Sequence, residues 1–419
     1  MIDELKNIPP KVNLEQFDIA NFAKDKIREM FRGGMVPTSE AMVEEVILRA
    51  LKKGAADVHF EPVDRELRIR LGVEGVMQKL VSLPIEIADN IASILKTRAS
   101  LNVFEKRKPQ EGRFTIKFGG LQFDFRVSTV PILDGERIVV HILHKNSRVA
   151  KIEELGFAPE MLSALRVLLQ RPSGLVLITG PAGSGKSTTV YAAVNDIQTS
   201  AKNIITVENP VEYRLDFASQ VPTPADGSFT IVDALRSILR QSPHIIMLGE
   251  IRDAETGTVA AEAAITGNLV VSTMLSSDAL GAILRLLHLG VPPYYVATTL
   301  SGVVYQKLVR RICDSCKESY LASAETVPPS VAATLPQGST LFRGKGCDAC
   351  GGTGYHGRAA IMELLSINAQ LKDLVHNHAS PMQLKEAAAA GGFQPIQRDA
   401  LKKLLTGTIA LDGYVEALG

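Results

Sequence analysis

What this chain lacks narrows it first. No apolar run in its 419 residues reaches the eighteen or so that a membrane-spanning helix needs, so no span is expected. The opening stretch, MIDELKNIPPKVNLEQFDIA, carries early acids and no apolar h-region, which excludes a secretory leader. Neither sign of charge is in excess: 46 Lys+Arg stand against 45 Asp+Glu, a net charge of +1. That balance gives no global pull toward nucleic acid or an anionic membrane. Cysteine is scarce, with four residues in two CxxC pairs. Without an export signal, this points to a metal site in a reducing cytoplasm and away from a disulfide framework. Tryptophan is absent, which decides nothing. Apolar residues are plentiful, 46% of the chain, enough for the cores of two or three domains. There is no internal repeat and no low-complexity tract.

The order of patterns suggests the domains. Residues 1–36 read as a polar N-terminal extension with partial order at best. In TSEAMVEEVILRALKKGA, Met42, Val43, Val46, Ile47, Ala50 and Leu51 share one helical face. Thr38 or Ser39 would cap that helix and Gly54 would stop it. The period then changes to two. Leu67, Ile69 and Leu71 alternate with Arg68 and Arg70; Leu121, Phe123, Phe125 and Val127 alternate with polar residues, and FGG (118–120) would turn one strand into the next. Residues 37–147 are therefore expected to form a small α+β domain. From 150 to 419 the pattern is strand, helix, strand, helix. Strands are expected at 174–179, 203–208, 244–249 and 268–274, and helices at 185–198, 230–241, 253–266 and 278–289. This predicts an α/β fold, a parallel sheet with helices on both faces. A cysteine-bearing insertion (313–356) and a helical tail (357–419) complete the chain.

GPAGSGKST follows an apolar strand and opens a helix. Gly180, Pro181, Ala182, Gly183, Ser184, Gly185, Lys186, Ser187 and Thr188 match a phosphate-binding loop, whose glycines let backbone N–H groups face phosphate oxygens. Lys186 would reach the β/γ-phosphates and the Ser187 hydroxyl would ligate Mg²⁺. Hydrolysis of ATP also needs carboxylates at the C-terminal ends of sheet strands. In IIMLGEIRD, Glu250 ends an apolar run and would hold Mg²⁺ through water; an ordinary strand-end acid is the plainer alternative. In ITVENPVEYRL, Glu208 and Glu212 are each equally well a solvated turn acid or a water-orienting base. Cys313, Cys316, Cys347 and Cys350 form CxxC…CxxC, a spacing that suits a structural Zn²⁺ held by four thiolates. The alternative is four reduced structural cysteines. With every position taken by sulfur, such a zinc would have no catalytic opening.

These motifs, with QKLVRRIC and GYHGRAAIMELL, together resemble the secretion ATPase superfamily, most closely its type II secretion and type IV pilus assembly (extension) branch. The resemblance runs from about residue 38 to the C-terminus. It implies a RecA-like ATPase domain behind a smaller PAS-like domain recognisable in AADVHFEP, KRKPQEGRF, DFRVSTVP and GERIVV. It implies a cytoplasmic homohexamer, peripheral at the inner membrane, that spends ATP to drive pilin or pseudopilin assembly through an inner-membrane platform protein and a cytoplasmic membrane-docking protein. It also implies that Glu212 is the catalytic carboxylate and that Arg113 and Arg126 complete the nucleotide site. On the residues alone those arginines could equally be solvated and paired with nearby acids. Gln306 and Arg310 would lie on a helix before the first CxxC, as a solvated face or as a ring contact.

Several positions depart from the family's pattern. Asn209 stands where Asp is usual, Asn268 and Leu275 where the His box carries histidines, Ser242-Pro243-His244 where D-P-D is common, Gly72-Val73-Glu74-Gly75 where R-x-D-G is usual, and His141 where Arg follows GERIVV. With Lys186, Ser187, Glu212 and Glu250 retained, the expectation is intact nucleotide binding with slow or partner-dependent turnover. The alternatives are a nucleotide-binding structural or regulatory subunit with little hydrolysis, and a DNA-transfer motor. A larger N-terminal docking domain is common in relatives; here a short extension precedes the small domain. His288, His356, His376 and His378 show no ligand or triad spacing.

Overall fold

The computed structural model describes residues 38–118, 121–144, 149–224, 227–323 and 326–418. The expected extension at 1–36 and the Gly119-Gly120 turn lie outside these residues. The chain divides into two compact units, Met1–Ser147 and Arg148–Gly419.

In the first unit, α1 (Ser39–Lys52) starts at Thr38, whose Oγ1 accepts the Ala41 N–H at 3.3 Å. Gly54, at φ +61°, takes the left-handed conformation just past its end. Then come β1 (Asp57–Val63), β2 (Glu66–Val73), β3 (Val76–Pro84), α2 (Ala88–Arg98), β4 (Gln110–Phe118), β5 (Leu121–Ile132) and β6 (Gly135–His144). The strands form one sheet in the order β3-β2-β1-β6-β5-β4, antiparallel throughout. Alternation decides the faces. Leu67, Ile69, Leu71, Phe125 and Val127 share a core with Val43, Val46 and Ile47 of α1 and Ile91 and Leu95 of α2. The polar face carries ion pairs. Glu61 takes Arg70 at 2.7 Å and Arg137 at 3.0 Å. Lys96 is almost wholly buried and meets Glu136 at 2.5 Å.

In the second unit the elements are α3 (Pro159–Leu169), β7 (Gly174–Thr179), α4 (Lys186–Ile197), β8 (Ile204–Glu208), β9 (Ser219–Pro222), α5 (Ile231–Ile238), β10 (Ile245–Leu248), α6 (Ala254–Ile265), β11 (Leu269–Met274), α7 (Ala279–Leu289), α8 (Pro293–Thr299), β12 (Leu300–Ile312), β13 (Lys317–Leu321), α9 (Pro329–Ala332), β14 (Thr340–Gly344), β15 (Tyr355–Ser366), α10 (Ala369–His376), α11 (Pro381–Ala390), α12 (Ile396–Leu405) and α13 (Leu411–Leu418). The main sheet runs β15-β12-β7-β11-β10-β8-β9. Its strands are parallel except β15, which is antiparallel to β12. Leu175 and Leu177 of β7 belong to one core cluster, Val176 and Ile178 to the other. Both faces are covered, so the central strands read as continuous apolar runs. β13 and β14 make a separate two-stranded antiparallel sheet.

The α/β expectation holds, with four local corrections. Gln306 and Arg310 lie on strand β12, not on a helix. The tail from 357 is not helical at its start, because β15 continues to Ser366 before the helices begin. The sheet is mixed rather than purely parallel, since β15 closes its edge in the opposite direction. The expected helix 230–241 ends at Ile238 and passes into a 3₁₀ turn, Leu239–Gln241.

Candidate functional site

The phosphate loop hangs between β7 and α4. Gly180, at φ +147°, has no room for a side chain: a Cβ would lie 2.2 Å from the Gln306 carbonyl oxygen and 2.6 Å from Ser184 Oγ. Gly183 and Gly185 also take positive φ, +72° and +84°. Only glycine adopts these conformations without strain, which lets the loop curl before α4 begins at Lys186. β12 holds the curl in place. Gln306 is buried; its Nε2 donates to the Ser184 carbonyl at 2.6 Å, and its Oε1 accepts the Thr189 hydroxyl at 2.8 Å. Thr179 Oγ1 donates to the Val304 carbonyl at 3.1 Å. Ser184 Oγ is buried without a hydrogen-bond partner among the described residues, so a donor or acceptor remains to be met inside the loop.

Lys186, Ser187, Glu212 and Glu250 converge at the C-terminal ends of β7, β8 and β10. Lys186 Nζ donates to the carbonyls of Gly180 (3.1 Å) and Pro181 (2.8 Å). Burial pulls its pKa down, and the Glu250 and Glu212 carboxylates push back up. Ser187 Oγ donates to Glu212 Oε1 at 3.0 Å. The surrounding protein raises the Glu212 carboxyl above its ordinary range and the Glu208 charge adds to this, while the Ser187 hydrogen bond and Lys186 oppose it. Solvent still reaches Glu212, which limits the upward push. Glu250 pairs with Arg252, a neighbour the sequence reading did not single out. Its turn is pinned by Thr273, whose Oγ1 donates to the Gly249 carbonyl at 2.6 Å and whose carbonyl accepts the Ile251 N–H at 2.9 Å.

Geometry separates the two acids that the residues alone left level. Glu208 is 2% exposed and faces away into a polar network with Tyr191, Thr206 and Gln220. Glu212, beyond the cis Asn209–Pro210 bond, reaches the cradle. Arg113 and Arg126 belong to the first unit, where they pair in register across β4 and β5. Arg126 grips Glu111 at 2.6 and 2.7 Å and holds that carboxyl below its usual range; Arg113 is exposed. Asn268 precedes β11 at the end remote from the cradle, where it caps α6 by donating to the Ala263 carbonyl at 2.7 Å. Leu275 follows the strand's cradle end and is 38% exposed. His244 is also at the remote end, accepting the Asn203 N–H at 3.1 Å.

The helical spacing of QKLVRR hides the Gln306 clamp, which depends on the run being a strand. A buried glutamine within an apolar strand is the signal that could have revealed it, since such a side chain must find partners. Arg310 stacks over Tyr355, 4.0 Å from the ring centre, and pairs with Asp412 at 2.7 Å.

The four cysteine sulfurs lie within 4.8 Å of one another. Cys313–Cys347 and Cys316–Cys350 are 3.9 Å apart and Cys347–Cys350 3.7 Å. Four thiolates around zinc at about 2.3 Å would stand roughly 3.8 Å apart, so the donor set fits that ion. Cys350 Sγ accepts the N–H groups of Cys347 and Gly354, each at 3.2 Å. Burial pushes this thiol up, but those donors and the neighbouring Cys347 and Cys316 sulfurs bring it below the ordinary thiol value, while burial pushes Cys316 up.

Comparison with known proteins follows the same lines. A type II secretion system protein E from Dickeya dadantii is 38% identical over 374 residues, 89% of this chain and 74% of that protein. A type IV pilus assembly ATPase PilB from Myxococcus xanthus is 38% identical over 96% of this chain and 71% of its own length. The PilB ATPase of Thermus thermophilus is 39% identical over 89% of this chain, which spans 42% of that longer protein. Among solved structures, the Legionella pneumophila ATPase DotB superposes with a TM-score of 0.65 at 20% identity, covering 91% of this chain and 97% of DotB. The pilus retraction motor PilT with bound ADP gives 0.59 at 23%, over 89% and 96%. At such identities these two speak for the fold alone. No helix among the described residues is long and apolar enough to cross a membrane. A family model described as type II/IV secretion system protein matches residues 36–416; with the relatives above, the chain belongs to that family of secretion and pilus-assembly ATPases.

Proposed function

We propose that this chain is the motor subunit of a type II secretion or type IV pilus assembly machine, binding ATP in the Gly180–Thr188 loop and hydrolysing it. The observation that carries the reading is the Ser187–Glu212 contact at 3.0 Å, with Lys186 and Glu250 beside it. The backbone of Gly180–Thr188 would cradle the phosphates, and Lys186 would neutralise their charge. Ser187 and Glu250 would hold Mg²⁺, which on binding neutralises charge between the β- and γ-phosphates. Glu212 would orient the attacking water, and a carboxyl raised above its ordinary range is the better proton acceptor. Arg113 and Arg126 are suited to phosphate oxygens by their planar forks. Cys313, Cys316, Cys347 and Cys350 would hold zinc as a structural ion.

In this reading the subunits form a homohexamer in the cytoplasm, at the inner membrane through partners, and pass domain motion to a platform protein and so to pilin or pseudopilin. One observation keeps a second reading, a nucleotide-binding subunit of the same machine with little turnover. Apolar Leu275 stands at the cradle end of β11, where the family resemblance implies a histidine. The other His-box change, Asn268, is about 20 Å from that end at strand rise and bears on folding instead. Steady-state ATP hydrolysis by the wild type and Glu212→Gln separates the two. The motor reading expects turnover that the variant loses while retaining nucleotide affinity; negligible turnover in both points to the second. Retention on DNA at moderate salt would instead revive a DNA-transfer motor.

A further inference from the structure

Helix α4 grips the Glu212 turn at two places one helical turn apart. Ser187 reaches the Glu212 side chain. Tyr191, four residues on, reaches its backbone: the tyrosyl oxygen accepts the N–H groups of Glu212 and Tyr213, both at 3.2 Å. The tyrosyl proton is donated to the Glu208 carboxylate. Glu208 also accepts Thr206 Oγ1 at 2.6 Å and Gln220 Nε2 at 3.1 Å. Gln220 closes the circuit, donating to the Tyr213 carbonyl at 2.9 Å and accepting the Leu215 N–H at 2.8 Å. The Tyr213 ring stands edge-on to Tyr191 with centres 5.0 Å apart, and its hydroxyl meets Thr188 of the cradle.

A carboxylate buried like Glu208 is costly unless its oxygens are hydrogen-bonded. Its described hydrogen-bond donors are all neutral: Tyr191, Thr206 and Gln220. Such an acid polarises the tyrosyl O–H and makes the oxygen a stronger acceptor for the two turn N–H groups. An apolar pair would fill the same space without that effect.

We propose that Tyr191 and Glu208 act as a positioning pair that fixes the Glu212 backbone and so keeps its carboxylate within reach of Ser187. This rests on reading Glu212 as the water-orienting carboxylate. Neither residue of the pair touches the nucleotide in this role; both act through Glu212.

The test uses the full chain with Mg-ATP and Mg-ADP. Tyr191→Phe should leave nucleotide affinity within about twofold. Its kcat should fall by roughly tenfold or more, because small misplacements of a reacting group are costly. The acid limb of the kcat–pH profile should move to lower pH, since a Glu212 freed from the turn is better solvated. In single-turnover measurements Tyr191→Phe should add no further loss to Glu212→Gln. Wild-type turnover in Tyr191→Phe, or the same fractional loss in both backgrounds, overturns the inference. Should Tyr191→Phe melt early and bind poorly, Glu208→Gln keeps the shape of the network while weakening the polarisation. It should then show a smaller kcat loss with the same non-additivity, and wild-type turnover in it would equally sink the idea. Normal turnover in Glu212→Gln would defeat the reading of Glu212 itself, and the inference with it. Loss in Glu212→Gln beside normal Tyr191→Phe defeats only the positioning pair.

Discussion

At the scale of single residues, Gly180 and Gln306 form one fitting. The glycine lets the Gln306 carbonyl approach, and the glutamine side chain then holds the loop from behind. Gly180→Ala would force a methyl to within 2.2 Å of that carbonyl at a φ that L side chains rarely take. Nucleotide affinity should fall by more than tenfold, as titration calorimetry would read. Gln306→Ala should have a milder effect of the same kind. It orphans the Ser184 carbonyl in a buried place, worth about 1–3 kcal/mol, and leaves the Thr189 hydroxyl only its longer bond to the Gly185 carbonyl at 3.3 Å, so both Tm and affinity should drop. Lys96 sets a different kind of limit, being 1% exposed against a Glu136 nearly as buried. Lys96→Met would leave that carboxylate buried and unpaired, at about 3–5 kcal/mol, while Lys96→Met combined with Glu136→Leu should recover most of the loss in a denaturant melt.

At the scale of elements, Glu363 on β15 joins two helices. Its carboxylate oxygens accept the Ala279 N–H at the start of α7 and the Ile396 N–H at the start of α12, each at 2.7 Å. Both helix dipoles point their positive ends at it. Burial nonetheless raises its carboxyl above 4.5, with the Asp278 charge adding to that rise. The folded chain therefore holds this proton to higher pH than the unfolded chain, and stability from this group declines as pH climbs from 4.5 through the raised value. Melts across that window should show a steeper decline in the wild type than in Glu363→Gln; Glu363→Ala should cost about 3 kcal/mol. The elements differ in how well the sequence announced them. β7, β8, β10 and β11 were legible because strands covered on both faces are unbroken apolar runs. α1 was legible through its stripe and its Thr38 cap. β12 was not: QKLVRR spaces its apolar and cationic residues as a helix would. The strand is set by long-range pairing with β7 and β15, which local spacing does not encode. The same holds for the site. The cradle and the cysteines are contiguous motifs and could be seen, whereas the Tyr191–Glu208 network joins residues brought together only by the fold.

At the scale of the whole chain, each unit carries a core of its own. The first unit's cluster draws on residues between Val43 and Ile142, and the second unit's clusters on residues from Ile152 onward. Residues 149–419 expressed alone should therefore fold and bind nucleotide, as circular dichroism and calorimetry would check. Zinc removal should act on one unit only. A chelator should lower the melting temperature of the second unit's transition, leave the first unit's unchanged, and be reversed by added Zn²⁺. Within the second unit, β12 has a mechanical consequence. Its middle holds Gln306 against the phosphate loop, and the strand ends where Cys313 begins the metal knuckle. It pairs with β7 as far as Tyr305 and with β15 on to Ile312, with register shifts at Leu300/Gly302 and Arg310/Ile312. An extended strand cannot lengthen, and Gln306 and Cys313 lie roughly 20 Å apart along it. The two sites thus share one strand, and a displacement of the cysteine cluster along β12 bears on the floor of the cradle.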